Sequence, residues 1–147
     1  MNNVGKILYA EDNDNDVELT LAAFEECNLA NPVDVVKDGA EALDYLFYKG
    51  KYSQRDKEIP LFILLDLKMP KLDGIEVLKE IRKSKEYKSI PVIILTSSKM
   101  ESDIARSYEF GANSFVVKPI DFAAFVEAIK NLGYFWANVN TSLKNYE

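Results

Sequence analysis

Hydrophobic and polar positions change period repeatedly along the 147-residue chain. Five short, largely apolar runs stand out: Lys6–Ala10, Val33–Lys37, Leu61–Leu65, Ile90–Leu95 and Phe115–Val117. Their length and lack of alternation predict strands covered on both faces. The stretches between them carry apolar residues at helical spacing. Asp16–Asn28 reads as a helix with Val17, Leu21 and Phe24 on one face, N-capped by Asn13 or Asp14 and ended by Asn31-Pro32. After an Asp38-Gly39 turn, Ala40–Tyr48 presents Ala42, Leu43, Leu46 and Phe47. Ile75–Ser84 turns Val77, Leu78 and Ile81 inward, and Ser102–Phe110 is stopped by Gly111. Asp121 caps a last helix lined by Phe122, Phe125, Val126 and Ile129. Lys49–Glu58 is polar and reads as an exposed loop, and Asp73-Gly74 as turn chemistry.

Five strands alternating with five helices predict the α/β class: a five-stranded parallel sheet with helices on both faces. No internal repeat or low-complexity segment interrupts the pattern. The expected organisation is one domain over residues 1–132 and a short C-terminal extension over 133–147, too short for a separate output domain. The extension starts with Tyr134-Phe135-Trp136, which either covers the last helix's own core or forms a subunit contact, most simply a two-fold homodimer.

Composition removes several function classes. Apolar residues make up 48% and charged residues 29%, a globular balance. A net charge of −6 gives no global attraction to nucleic acid or an anionic membrane. One cysteine, Cys27, permits no internal disulfide and reads as a half-buried helix residue. There is no histidine, which excludes His-based catalysis, His-ligated metals and a phosphohistidine carried by this chain. No leader pattern precedes the first strand, and no apolar run approaches the length of a membrane span, so cytoplasmic residence is expected. The Asn140-Thr141-Ser142 glycosylation pattern is read as a chance match.

The strand ends carry the chemistry. The first ends at Glu11-Asp12, the third at Asp66, the fourth at Thr96 and the fifth at Lys118. In an open α/β sheet these ends converge on the ligand-binding edge. Three neighbouring carboxylates raise one another's pKa unless a cation holds them, and Mg2+ suits an all-oxygen site with positions left for water. With the Lys118 ammonium and the Thr96 hydroxyl, the set is a cradle for a tetrahedral dianion such as a phosphoryl group. Asp66, directly after a buried strand, is the candidate nucleophile, able to form an acyl phosphate. Asp12, Asp14 and Asp16 alternate as in a calcium loop, but Val17 and Ala23 stand where that loop needs Gly and Glu.

Tyr9-Ala10-Glu11-Asp12-Asn13, Leu64-Leu65-Asp66-Leu67-Lys68-Met69-Pro70 with Asp73-Gly74, Leu95-Thr96-Ser97-Ser98 and Val116-Val117-Lys118-Pro119 occur in the order and at the spacing of a known family. Between about Val4 and Leu132 the chain resembles a response-regulator receiver domain. The resemblance implies a flavodoxin-like (βα)5 fold and a role in a two-component phosphorelay. A histidine kinase's phosphohistidine would donate its phosphoryl group to Asp66 in a Mg2+-dependent reaction. Asp12, Asp66 and the backbone carbonyl of Lys68 would hold the ion, with Glu11 acting through water. Thr96 and Lys118 would bind phosphoryl oxygens. Phe115 falls at the family's aromatic switch position and would rotate inward with Thr96, remodelling the fourth helix–fifth strand–fifth helix face, a candidate dimer surface. The resemblance also allows a cis Lys118–Pro119 bond. Such a protein is no enzyme in the usual sense but assists its own phosphorylation and dephosphorylation.

The 49–58 loop and the Leu132–Trp136 tail resemble the single-domain regulators that partner phytochrome-type histidine kinases of cyanobacteria and other bacteria. Lys68, where Asn is frequent, and Phe115, where Tyr is usual, depart from the common pattern. Lys68 also reads as an ordinary surface lysine, and Phe115 as core filler. Three other functions compete. A Mg2+-dependent phosphohydrolase resembling haloacid dehalogenases needs a second Asp where Lys68 stands. A flavodoxin-like flavin binder needs a phosphate loop where Glu11-Asp12-Asn13-Asp14 stands. A receiver that is never phosphorylated would have little use for the complete acceptor set.

Overall fold

The apolar runs form five strands: β1 (Ile7–Ala10), β2 (Val33–Val36), β3 (Phe62–Leu65), β4 (Val92–Thr96) and β5 (Ser114–Val117). All pair in parallel, in the order β2-β1-β3-β4-β5. The computed structural model describes residues 5–26 and 28–140. The expectations placed on Cys27, on Thr141-Ser142 and on the rest of the tail lie outside the described residues. The three central strands are fully buried, whereas β2 and β5, at the sheet edges, are half-exposed.

Successive strand residues point to opposite faces, so one run feeds two cores. Leu8, Ala10, Ile63, Leu65, Val92 and Ile94 pack with α2 (Gly39–Leu46) and α3 (Gly74–Lys83). Ile7, Tyr9, Phe62, Leu64, Ile93 and Leu95 pack with α1 (Asp14–Glu26) and α5 (Phe122–Tyr134). A further helix, α4 (Glu101–Glu109), precedes β5. This is the expected doubly covered parallel sheet. Among the described residues, no helix is long and apolar enough to cross a membrane.

Several local expectations change. Asn13, not Asp14, caps α1, its Oδ1 accepting the Asp16 N–H at 3.0 Å. Leu21 is 36% exposed because the inward face of α1 is Val17, Thr20, Ala23 and Phe24. Thr20 earns its buried place through a 3.1 Å hydrogen bond with the Tyr9 hydroxyl. Phe122 is 61% exposed, standing on the first turn of α5 at the rim of a groove shared with Leu19 and Val126. The Lys118–Pro119 bond is trans, the lower-energy isomer, as are all peptide bonds among the described residues.

The 49–58 segment is not a free loop. Gly50–Tyr52 forms a 3-10 turn. The Tyr52 hydroxyl donates to Glu41 Oε2 at 2.5 Å. The Arg55 guanidinium lies 4.0 Å from the Tyr45 ring centre and 4.4 Å from that of Tyr48, and donates to the carbonyls of Tyr45 and Glu58. Most of the segment is exposed, as its polar composition predicted, but Tyr52 and Arg55 are half-buried and hold it against α2. At the other end, α5 continues through Gly133 into a π turn, Phe135–Val139. A Cβ on Gly133 would stand 2.7 Å from the Phe24 ring, so this glycine serves close helix packing, not termination. The expected boundary at 132 therefore falls inside α5. Trp136 and Ala137 pack on the α1–α5 core, as the first reading of the aromatic cluster expected, while Tyr134 and Phe135 are exposed.

Candidate functional site

With strand order β2-β1-β3-β4-β5, the chain leaves β1 and β3 toward opposite sides, opening a crevice at their carboxyl ends. Ladder hydrogen bonds fix the backbone of what lies there. The Asp66 N–H donates to the Ala10 carbonyl at 3.1 Å, Glu11 N–H to Val36 at 3.0 Å, and Lys118 N–H to Thr96 at 2.7 Å. The positions of these side chains are set by the sheet, not by flexible loops. Two further contacts seat the Asp66 loop. The Asp73 side chain caps α3 by accepting the Glu76 N–H at 3.0 Å. A Cβ on Gly74 would stand 2.4 Å from the Asp66 carbonyl oxygen. Asp73-Gly74 is thus more than a turn: it lets α3 dock directly against Asp66.

Glu11, Asp12 and Asp66 each bring one carboxylate oxygen within 4.8 Å of the others. Glu11 and Asp66 are buried and Asp12 is exposed. Burial, then the Asp66 charge, pushes the Glu11 carboxyl up to about 7, against the hydrogen bond from Lys118. Three converging hard oxygens, one of them on a carboxyl that burial and the Asp66 charge push up to about 7, fit a divalent cation.

Lys118 reaches this cluster from the far side. Its Nζ donates to Glu11 Oε1 at 2.6 Å and to Asp16 Oδ2 at 2.7 Å, and lies 3.7 Å from Asp66 Oδ2. Burial alone would lower its pKa, but Asp16 and Glu11 outweigh it and the pKa rises, so the ammonium stays charged. Thr96 is fully buried at the end of β4, and its Oγ1 accepts the Ser98 N–H at 3.3 Å. The structure therefore gathers Glu11, Asp12, Asp66 and Lys118 into one cluster, with Thr96 on the neighbouring strand. Phe115 is not part of it. It is half-buried against the α2–α3 core, and its N–H donates to the Tyr108 hydroxyl of α4 at 3.2 Å.

Two features were not foreseen. Asp16, read only as the start of the first helix and part of the rejected calcium pattern, binds Lys118; the signal was an acidic residue in the first turn of a helix that starts at the carboxyl edge of the sheet. Lys68 is not a solitary surface lysine. Its Nζ lies 3.6 Å from Asp103 Oδ2 on α4, and Asp103 also accepts the Ser98 hydroxyl at 2.5 Å. That bond, then Lys68, lowers the Asp103 pKa despite its burial. The Asp66 loop, the Thr96–Ser98 loop and α4 are thereby tied together.

Comparison with known proteins gives concordant matches. The family model of the response regulator receiver domain matches residues 7–130. Response regulator Rcp1 of Synechocystis is 33% identical over 135 residues, 92% of this chain and 90% of its own. The crystal structure of its Mn2+-bound form superposes with a TM-score of 0.88 at 32% identity, over 94% of this chain and 98% of that one. The phosphorylated cyanobacterial phytochrome response regulator RcpA gives a TM-score of 0.88 at 36% identity, over 95% and 98% of the two chains. The bacteriophytochrome response regulator RtBRR is 52% identical, with a TM-score of 0.77, over 95% of this chain and 84% of its own.

Proposed function

The chain belongs to the response regulator receiver family, and on that premise we propose that Asp66 is the acceptor of a phosphoryl group delivered by a histidine kinase. The observation that carries this reading is a buried carboxylate at the carboxyl end of β3, with Glu11 and Asp12 within 4.8 Å and the Lys118 ammonium at 3.7 Å. An Asp66 carboxylate oxygen attacks the donor's phosphorus. The P–O bond forms as the donor's P–N bond breaks, and the electron pair returns to the imidazole. Lys118 and the Thr96 hydroxyl receive the oxygens of the transferred group. Glu11, Asp12, Asp66 and the Lys68 carbonyl would hold Mg2+, which when bound supplies the positive charge that a dianion beside three carboxylates requires. The Mn2+-bound state of Rcp1 and the phosphorylated state of RcpA, both close in fold, support the cation and the modification respectively.

The likeness to a phytochrome response regulator supports a phytochrome-type kinase as donor; in the same proposal Thr96 and Phe115 pass the change to the α4–β5–α5 face. Exposed Tyr134 and Phe135 offer apolar surface for a homodimer beside that face. Incubation with acetyl phosphate and Mg2+ should add one phosphoryl group per chain, seen by intact mass, and Asp66→Asn should take none. Full labelling of Asp66→Asn would remove Asp66 from this role.

A further inference from the structure

The Lys118 ammonium has three N–H bonds to place. Two are committed, to Glu11 Oε1 at 2.6 Å and Asp16 Oδ2 at 2.7 Å. Asp66 Oδ2, at 3.7 Å, is beyond hydrogen-bond reach. The candidate acceptor therefore does not aim the lysine; the other two carboxylates do. They are not equivalent. Glu11 belongs to the trio whose oxygens converge for a cation, and its second oxygen faces the Asn13 N–H at 3.3 Å. Asp16 lies outside that trio. It sits in the first turn of α1, where Asn13 caps its own N–H at 3.0 Å, so its backbone is anchored independently of the pocket's ionic state. The Lys118 side chain is only 11% exposed, and its Asp16 partner 27%, so water competes weakly for the pair.

We infer that Asp16 is a positioning residue for phosphoryl transfer: it holds the Lys118 ammonium beside Asp66 with one N–H left for the incoming phosphoryl group. Glu11 gives up electron density to a cation when one is bound, whereas Asp16 keeps its bond to Lys118 throughout. The third acid of the Asp12-x-Asp14-x-Asp16 run thus has a use unrelated to calcium. The inference rests on Asp66 being the acceptor.

The test measures labelling by acetyl phosphate over a Mg2+ titration for the wild type, Asp16→Ala, Lys118→Ala and the double variant, with melting curves for each. Asp16→Ala should lower the rate at saturating Mg2+ by about tenfold or more, the scale expected when a reacting group is displaced. The Mg2+ concentration for half-maximal rate should stay within about twofold, because the cation's own ligands are intact. In the Lys118→Ala background the Asp16 change should cost nothing further, since the two act as one unit. Equal rates for Asp16→Ala and wild type overturn the inference, as does a loss that more Mg2+ restores. A loss that multiplies fully onto that of Lys118→Ala overturns it too, because a merely structural role would behave that way. A wild type that takes no label, or an Asp66→Asn that labels fully, instead removes the acceptor reading and this inference with it.

Discussion

Gly74→Ala is the substitution whose consequence the geometry states most directly. The new methyl carbon would stand 2.4 Å from the Asp66 carbonyl oxygen and 2.9 Å from the Leu67 Cα. A carbon and an oxygen rest at roughly 3.4 Å, so about 1 Å of space must open between two pieces of backbone. Neither piece is free to give it. Asp66 is pinned to Ala10 by its N–H, and Gly74 donates its own N–H to the Leu67 carbonyl at 2.9 Å. Asp73 holds the first turn of α3. Overpacking of this kind costs about 1–3 kcal/mol, or roughly 3–10 °C of Tm for a domain of this size. The functional cost should exceed the stability cost, because the atom displaced is the backbone of the proposed acceptor; a shift near 1 Å lowers a positioned reaction by up to about 100-fold. Thermal melts by circular dichroism and acetyl phosphate labelling, with exposed Glu76→Ala on the same helix as control, measure both effects. A Gly74→Ala protein with wild-type Tm and wild-type labelling rate would refute the close-approach reasoning.

Glu11 sets a pH dependence. Its carboxyl is raised from the ordinary 4.5 to about 7, so between those values the folded state holds a proton that the unfolded chain releases; without a divalent cation, stability is therefore lost as pH rises through that window. Mg2+ takes the ionised form, so its Tm increment should grow from pH 5 to pH 8, and Glu11→Gln should flatten both trends; an increment independent of pH contradicts this. Arg55→Ala should destabilise by about 1–3 kcal/mol in urea melts, through lost stacking and freed carbonyls, and should speed proteolysis between Lys49 and Glu58; unchanged cleavage would mean the segment is held otherwise. Asp103→Ala, which strips the Ser98 hydroxyl of its acceptor, should cost about 1–2 kcal/mol, whereas Lys68→Ala, removing one exposed ion-pair partner, should cost under about 0.5 kcal/mol; the reverse order in urea melts would rule out the proposed hierarchy.

The parts of this fold that were readable share a cause. The central strands are buried on both faces, so Ile7–Ala10 and Phe62–Leu65 had to be continuous apolar runs, and the polar residue ending each run had to lie at one sheet edge. The alternation of strands and helices therefore places Glu11, Asp12, Asp66 and Lys118 together from the sequence alone. The unreadable parts depend on partners far away in the chain. Asp16 meets Lys118 across 102 residues, and nothing local to either distinguishes that carboxylate from Asp14, which pairs with Lys37 instead. Arg55 looked like solvent-facing charge until Tyr45 and Tyr48 supplied ring faces for it. Gly133 carried the composition of a helix end but the duty of a contact with Phe24. Leu21 matched the helical period, yet the face of α1 is centred on Thr20, because the Tyr9 hydroxyl reaches out of the sheet to meet it.

The charge of the pocket explains why these pieces are arranged as they are. Glu11, Asp16 and Asp66 lie around the Lys118 ammonium and Asp12 stands beside Glu11 and Asp66, so the cluster carries excess negative charge, and part of the chain's −6 is concentrated there. Burial first, and then the Asp66 charge, raises the pKa of Glu11 there. Such a site has a standing affinity for positive charge and would repel an unaccompanied phosphoryl dianion, so on the proposed reading cation binding and phosphorylation must be coupled with the same sign. What yields afterwards is set by the weakest bonds nearby. Among the described residues the Thr96 hydroxyl is held by a 3.3 Å contact from the Ser98 N–H, while Ser98 itself is tied to Asp103 at 2.5 Å. A dianion on Asp66 would accept the Thr96 O–H at the cost of that weak 3.3 Å contact, whereas taking the Ser98 O–H would break a short bond to a carboxylate. Thr96 should therefore turn before Ser98 lets go, and α4 should follow only when the Lys68–Asp103–Ser98 tie is drawn with it. On the proposed reading, stiffening or cutting that tie should change how far the signal travels without touching the residue that receives it.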